Sequence, residues 1–269
     1  IEELVDANEK RLYRVAKFIH RARSKYQTID VVSLVNHGRT LLLDGVPRVF
    51  ESDEYIYHEA LIHPLIALSS TTPRNVLVIG DGDGGGIREI LKYADIERLH
   101  WVEIDEQVVE VCREHLGCLP RPMYDDPRLT IHIMDGVDYV RRTEEVFDAV
   151  YLSGTEIGTV ECADRLFLGE LYDQVGRILS DSGLVVQSMA PVTPALVEPF
   201  AERVSRLSQH FCEVLPYRVG LPAFGIDWGF AVATAQAGGF VAPKVPTVDT
   251  QFYDLAAHRA MFCLPKYMS

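Results

Sequence analysis

From residue 75 onward the chain alternates short, wholly apolar runs with longer amphipathic ones. "NVLVIG" (75–80), "RLHWVEID" (98–105), "LTIHIMDG" (129–136), "FDAVYLS" (147–153) and "LVVQSM" (184–189) read as strands. Between them, "GGIREILKYADI" (85–96), "EQVVEVCREHL" (106–116) and "LFLGELYDQVGRILSDSG" (166–183) read as helices. "TPALVEPFAERVSRLSQHF" (193–211) supplies a later helix, and "VLPYRVGLPAFGIDWGFAVATA" (214–235) two closing strands. Strands that alternate with helices imply right-handed βαβ units and an α/β fold with a doubly wound, mostly parallel sheet.

The chain before residue 75 has a different rhythm. Residues 1–23 carry apolar groups at helical spacing (Leu4, Leu12, Val15, Phe18, Ile19) among many charges, which predicts a surface helix. "YQTIDVVSLV", "RTLLLDG" and "VPRVFES" are β-type runs separated by the turn sequences "NHGR" and "DGVP", which predicts a small antiparallel sheet. "DEYIYHEALIHPLIAL" (53–68) predicts a helix leading into the main unit. Two domains follow: 1–70, a helix with a small β-sheet, and 71–269, a Rossmann-like nucleoside-binding unit.

Composition narrows the partners. With 269 residues, 48% of them hydrophobic, the chain can bury one large core with a small appendage. A net charge of −13 argues against a nucleic-acid or anionic-membrane surface and accommodates cationic small substrates. The 5 cysteines show no C-x-x-C spacing, so neither a zinc site nor a disulfide framework is expected, and the compartment is read as reducing. No apolar run reaches membrane-spanning length, and the amphipathic, acidic start does not suit a signal peptide. The expectation is a cytoplasmic protein.

Candidate chemistry concentrates in "VLVIGDGDGGGIREI" (76–90), where glycines lie between a buried strand and a helix. In a doubly wound sheet this turn sits at the carboxyl edge, where ligands bind. Gly80, Gly82 and Gly85 satisfy G-x-G-x-x-G, which alone is a weak match to a dinucleotide site. Asp81 and Asp83 stand in the same turn and would repel a pyrophosphate at short range. A sulfonium nucleoside carrying an ammonium fits better, although Asp83 as a plain cap of the next helix stays open. Glu103 ends the second strand, nineteen positions after Gly84, where a carboxylate can accept from ribose hydroxyls. Asp105 is the alternative for that role, or a helix cap. Asp135 ends the third strand, near where an adenine amino group would lie, or is a turn residue before Gly136.

With these residues in place, the sequence resembles the spermidine synthase family of polyamine aminopropyltransferases over nearly its whole length. The similarity runs through "SKYQ" (24–27), "LLLDG" (41–45), "SDEYIYHEALIHPLIAL" (52–68), "VLVIGDGDGGGIREILKY" (76–93), "WVEID" (101–105), "DPRLTIHIMDGVDYV" (126–140), "LFLGELY" (166–172), "WGFAVA" (228–233) and "HRAMFCLP" (258–265). The resemblance implies a sheet of the class I methyltransferase type. It also implies transfer of an aminopropyl group from decarboxylated S-adenosylmethionine to a small-molecule amine or polyamine, releasing methylthioadenosine without a metal. It further implies a homodimer or homotetramer. Carried over residue by residue, Gly80, Gly82, Asp83 and Gly84 would cradle the donor, with Asp83 on its ammonium. Glu103 would bind the ribose, and Asp135 with Gly136 the adenine. Gln27 and His58 would hold the nucleoside or the transferring chain, and Tyr57 would line the channel shared with the acceptor.

The sequence departs from the family at the acceptor side. The family pattern resembles D-[ST]-x-D-P-x-G-P-A-x-x-L-F, where this chain has "SGTEIGTVECADRLF" (153–167). Ser153 replaces the aspartate that deprotonates the attacking amine, Glu156 replaces the second aspartate on a longer arm, and the loop is two residues longer. Met189 stands where many bacterial relatives have glutamate, Ala223 and Phe224 follow Pro222 where the family tends to read P-T-Y, and Arg48 stands where glutamine is common. Ser153, Glu156 and Tyr57 are therefore the candidate catalytic residues. The expected activity is aminopropyl transfer to an amine not held as putrescine usually is. The alternatives are an S-adenosylmethionine-dependent methyltransferase on the same fold, or an inactive nucleoside-binding homologue.

Overall fold

A computed structural model of the chain describes residues 1–4, 10–118, 120–153 and 169–268. At the N-terminus β1 (Glu2–Leu4) pairs antiparallel with β2 (Lys10–Leu12). Then β3 (Val15–Arg23), β4 (Thr28–Leu34), β5 (Gly38–Leu43) and β6 (Val46–Phe50) form an antiparallel sheet in chain order. The three hairpin strands fall where the sequence predicts them, but in place of the helix expected over 1–23 the described residues there form strands β1, β2 and β3. β3 instead pairs with β4 as the edge of the sheet, with two register shifts. Tertiary pairing overrides the weak helical spacing, and Val15 and Phe18 remain solvent-exposed on that edge.

The main sheet has seven strands in the order β12-β13-β11-β10-β7-β8-β9. These are β7 (Asn75–Gly80), β8 (Arg98–Glu103), β9 (Leu129–Ile133), β10 (Phe147–Ser153), β11 (Leu179–Val192), β12 (Glu213–Leu221) and β13 (Ile226–Thr234). Strands β7 to β11 are mutually parallel, and β13 and β12 close the sheet antiparallel. The chain runs outward from β7 to β9 and then returns to the other side of β7 with β10. Ligands of such sheets bind at this reversal of strand order.

Among the described residues the α-helices are α1 (Glu54–Leu68), α2 (Gly85–Leu91), α3 (Glu106–His115), α4 (Gly136–Arg142), α5 (Gly169–Ile178), α6 (Val197–Leu207) and α7 (Leu255–Phe262). Of these, α4 and α7 have no counterpart in the sequence reading, because short helices give little periodicity to detect. Side chains alternate across the central strands. Val76 and Val78 therefore join α1, α2 and α7 in one core, while Leu77 and Ile79 join α4, α5 and α6 in the other. The N-terminal sheet packs through Ile29, Val31 and Leu41 on α3, and through Phe50 on Phe224 of the β12–β13 turn. It thus roofs the carboxyl ends of the parallel strands.

Helix α1 shows how the core is tied together. It is apolar on nearly every face and buried from His58 to Leu68, as a helix between layers must be. Pro64 lies inside it and has no N–H, so the carbonyl of Ala60 loses its helical partner. The buried hydroxyl of Tyr217 donates to that carbonyl at 2.9 Å. At the start of the same core, Glu59 is fully buried and accepts from the backbone N–H groups of Gln251, Phe252 and Tyr253, which anchors the C-terminal segment to α1. Tyr217→Phe should strand the Ala60 carbonyl and lower stability by about 1–3 kcal/mol. Urea unfolding of the two proteins checks this, and an unchanged midpoint would contradict it.

Candidate active site

A cavity of about 220 Å³ lies at the reversal of strand order, beneath the N-terminal sheet. Its walls include Gln27, Arg48, Tyr57, His58, Gly80, Asp81, Gly82, Asp83, Glu103, Asp135, Gly136 and Ser153. Apart from Gly84 and Glu156, every residue given a donor or catalytic role by the resemblance therefore lines one cavity, whereas Gly85, Asp105, Met189 and Ala223 do not. Gly84 is the left-handed residue preceding α2 in the same loop. Glu156 and the rest of the 154–168 loop lie outside the described residues.

The loop after β7 is built around two carboxylates with different duties. Asp81 has a positive φ of 65°, a conformation that costs a non-glycine residue on the order of 1 kcal/mol. Its Oδ2 accepts from the N–H groups of Gly86 at 2.8 Å and Ile87 at 3.3 Å, so Asp81 caps α2. Asp83 accepts from Gly85 N at 2.9 Å, and its Oδ1 lies 3.0 Å from His58 Nε2. The sequence reading left open whether Asp83 is only a cap. Asp81 takes most of the capping, and Asp83 faces the histidine.

His58 is a buried cation in this setting. Its Nδ1 bonds Glu54 Oε2 at 2.6 Å, and its Nε2 makes ion-pair contact with Asp83. Burial opposes the charge, but Asp83 and Glu54 more than offset it and hold the imidazolium well above its ordinary pKa. Glu54 is in turn gripped by Arg88 at 2.6 and 3.0 Å. A Cβ at Gly85 would overlap the His58 ring, so this contact requires glycine there. His58, Asp81 and Asp83 lie close enough to reach a common metal ion, which would need the neutral imidazole in place of the imidazolium.

The same ion pair separates the acidities of the two loop carboxyls. Burial would raise Asp83, yet His58 holds it below the usual range. Burial and the neighbouring Asp83 push Asp81 up to about 6. Glu103 is pushed up to about 7, again by burial, even though its Oε1 accepts from Ile104 N at 2.8 Å and Asp105 N at 3.0 Å. Its other oxygen, Oε2, turns toward Gly82, where a Cβ would stand 3.1 Å away and also crowd Val108.

Asp135 caps α4, accepting from Val137 N at 2.8 Å and Asp138 N at 3.1 Å. Asp105, the alternative to Glu103, caps α3 and receives Ser24 Oγ at 2.6 Å and Gln27 Nε2 at 3.1 Å. Gln27 thereby joins the N-terminal sheet to the cavity.

On the other side of β7, Ser153 ends β10 beside Gly80, buried. Its Oγ lies 3.5 Å from Asp81 Oδ1, at the limit of a hydrogen bond. Tyr57 donates to Ser188 Oγ at 2.9 Å, as does Trp228 Nε1. Met189, by contrast, is wholly buried in the core behind the sheet. Ser188 at the neighbouring position is fully buried behind this wall and braces Tyr57 and Trp228, and the register of β11 against β13 shifts between 188 and 190. Arg48 is the extra residue of another bulge, in β6, which turns it toward the cavity. Burial brings its pKa down to about 10, so it stays charged. Sequence reasoning missed Glu54, Arg88 and Ser188. Only the i, i+4 spacing of Glu54 and His58 carried a readable signal.

The comparisons with known proteins agree with this geometry. The family model described as the spermine/spermidine synthase domain matches residues 54–238, and that of the spermidine synthase tetramerisation domain matches residues 1–51. A polyamine aminopropyltransferase of Thermoanaerobacter sp. (strain X514) is 31% identical over 272 aligned residues, covering 98% of this chain and 94% of that protein. One from Aeropyrum pernix is 34% identical over 267, covering 95% and 84%. Among solved structures, a spermidine synthase in complex with the transition state analogue AdoDATO superposes with a TM-score of 0.88 at 28% identity, covering 97% of this chain and 91% of that one. The spermidine synthase of Thermotoga maritima gives 0.85, also at 28%, covering 97% and 90%. The folded arrangement, the match along nearly the whole chain and the cavity at the strand reversal lead to one conclusion: this chain belongs to the spermidine synthase family of polyamine aminopropyltransferases.

Proposed function

We propose that the chain transfers an aminopropyl group from decarboxylated S-adenosylmethionine to an amine, releasing methylthioadenosine. The observation that carries this reading is the pairing of Asp83 with a charged His58 in the wall of a cavity also lined by Asp81, Glu103 and Asp135. The donor brings a sulfonium and an ammonium, and Asp83, Glu103 and Asp135 supply the anionic field that holds them. Gly80, Gly82 and Gly84 leave room for the nucleoside, with Glu103 on the ribose and Asp135 and Gly136 beside the adenine. Gln27 and His58 fix the donor side, and Tyr57 lines the channel that donor and acceptor share. A related structure holds a transition state analogue, AdoDATO, which supports a donor in this cavity.

The chemistry asks little of an acid. The neutral amine attacks the methylene carbon bonded to sulfur, the C–S bond breaks, and the thioether leaves uncharged. The protein must instead align the amine, exclude water and take one proton from nitrogen. In this reading Ser153 and Glu156 shape the acceptor side. Intact S-adenosylmethionine would add a carboxylate against Asp83, which disfavours methyl transfer.

We also propose that the chain assembles into homodimers or homotetramers through its N-terminal sheet. The match of residues 1–51 to a tetramerisation domain and the exposed Leu12, Phe18 and Val35 support this. Light scattering should report a multiple of the monomer mass that falls on Phe18→Glu; a monomer in the unaltered protein would contradict it.

Incubation with decarboxylated or intact S-adenosylmethionine and a panel of amines tests the activity. Methylthioadenosine should appear only with the decarboxylated donor and at least one amine. Adenosylhomocysteine from the intact donor, or no product with any amine, would overturn the reading.

A further inference from the structure

Aminopropyl transfer, as read above, needs a carboxylate to take the amine's proton, and position 153 offers only a hydroxyl. A serine does not deprotonate an amine at neutral pH without an activating base. The neighbouring strand supplies what β10 lacks. Gly80 at the tip of β7 is in register with Ser153, and Asp81 follows it directly. The Asp81 carboxylate is anchored through Oδ2 on the α2 amides, while Oδ1 stands 3.5 Å from Ser153 Oγ and 3.7 Å from His58 Nε2. Asp81 also lines the cavity. An aspartate held at positive φ in a glycine-rich turn is strained, and such strain gathers at functional sites.

We propose that Asp81 is the general base of this enzyme, its Oδ1 accepting the proton of the attacking amine in the place left by the missing carboxylate at 153. Ser153 then acts as a positioning residue, its hydroxyl donating to Oδ1 and leaving the carboxylate oriented along the channel. As the N–C bond forms and the C–S bond breaks, the nitrogen becomes a secondary ammonium. The proton that the acceptor's ammonium loses to become the attacking amine has already passed to Asp81 Oδ1, so the product leaves as the secondary ammonium and methylthioadenosine departs neutral. The base has moved one strand across the sheet, from β10 to β7.

The surroundings suit such a base. Among the described residues, His58 and Tyr57 from α1, Asp83 in the same loop, Glu103 from β8 and Cys112 from α3 are the titratable groups around Asp81. Burial and Asp83 raise its pKa to about 6, which leaves it ionised at neutral pH yet basic enough to accept a proton. With donor saturating, kcat should therefore fall as pH drops through about 6, because protonation removes the acceptor oxygen.

The test moves the carboxylate back. Asp81→Asn keeps an oxygen to cap α2 but cannot take a proton. It should lower kcat by about a hundredfold or more, the usual contribution of a general base, with the methylthioadenosine dissociation constant within about twofold of the unaltered protein. Asp81→Gly should lose activity similarly, and adding Ser153→Asp to it should restore at least tenfold, with a shifted acid limb. Glu156→Gln, measured in parallel, should act mainly on KM for the amine. Retention of most of kcat by Asp81→Asn, a loss that Ser153→Asp does not recover, or a collapse of kcat in Glu156→Gln alone would overturn the assignment while leaving aminopropyl transfer standing. Absence of methylthioadenosine from the unaltered protein with every amine would overturn both.

Discussion

Three carboxylates, Asp81, Asp83 and Glu103, converge out of water at the carboxyl ends of β7 and β8, and their mutual repulsion is the constraint the surrounding structure must meet. An uncompensated buried charge costs several kcal/mol. The compensation is a charged chain running from Arg88 through Glu54 to His58 and Asp83. Helix amides satisfy Asp81, and backbone amides satisfy one oxygen of Glu103. The fold's packing details serve this chain. Glycine at 85 admits the His58 ring, and α1, buried along most of its length, carries both Glu54 and His58 into the cavity.

The different fates of the three acids follow from how each is compensated. Asp83 has the imidazolium at close range and stays strongly acidic, whereas Asp81 has helix amides and a more distant His58, Glu103 has only backbone amides, and both are raised toward neutrality. Groups poised near neutrality can exchange protons during turnover, and a permanently ionised one is suited to holding a cation. The division of labour between Asp83 and Asp81 is thus an electrostatic consequence of where His58 sits.

Much of this was legible in the sequence. The strand–helix alternation gave the parallel sheet, and the Gly-rich turn with Asp83, Glu103 and Asp135 gave one wall of the cavity, because each ends a strand at the same edge. The N-terminal strands were not legible, since Val15, Phe18 and Ile19 repeat at a spacing that a helix and an exposed edge strand share. Nor were the roles of Asp81 and Met189. A positive φ and a bulge are properties of the folded backbone: Asp81 lies beside Ser153, and Ser188 rather than Met189 bonds the cavity-lining Tyr57 and Trp228. Arg88 and Glu54 lie 34 residues apart, so their pairing exists only after α1 and α2 pack together.

The account depends on the donor's missing carboxylate mattering to Asp83. Calorimetric titration of the protein with decarboxylated and intact S-adenosylmethionine at the same pH measures this without any acceptor. The decarboxylated donor should bind at least tenfold more tightly, and the preference should shrink in Asp83→Asn. Equal affinities, or tighter binding of the intact donor, would contradict the account.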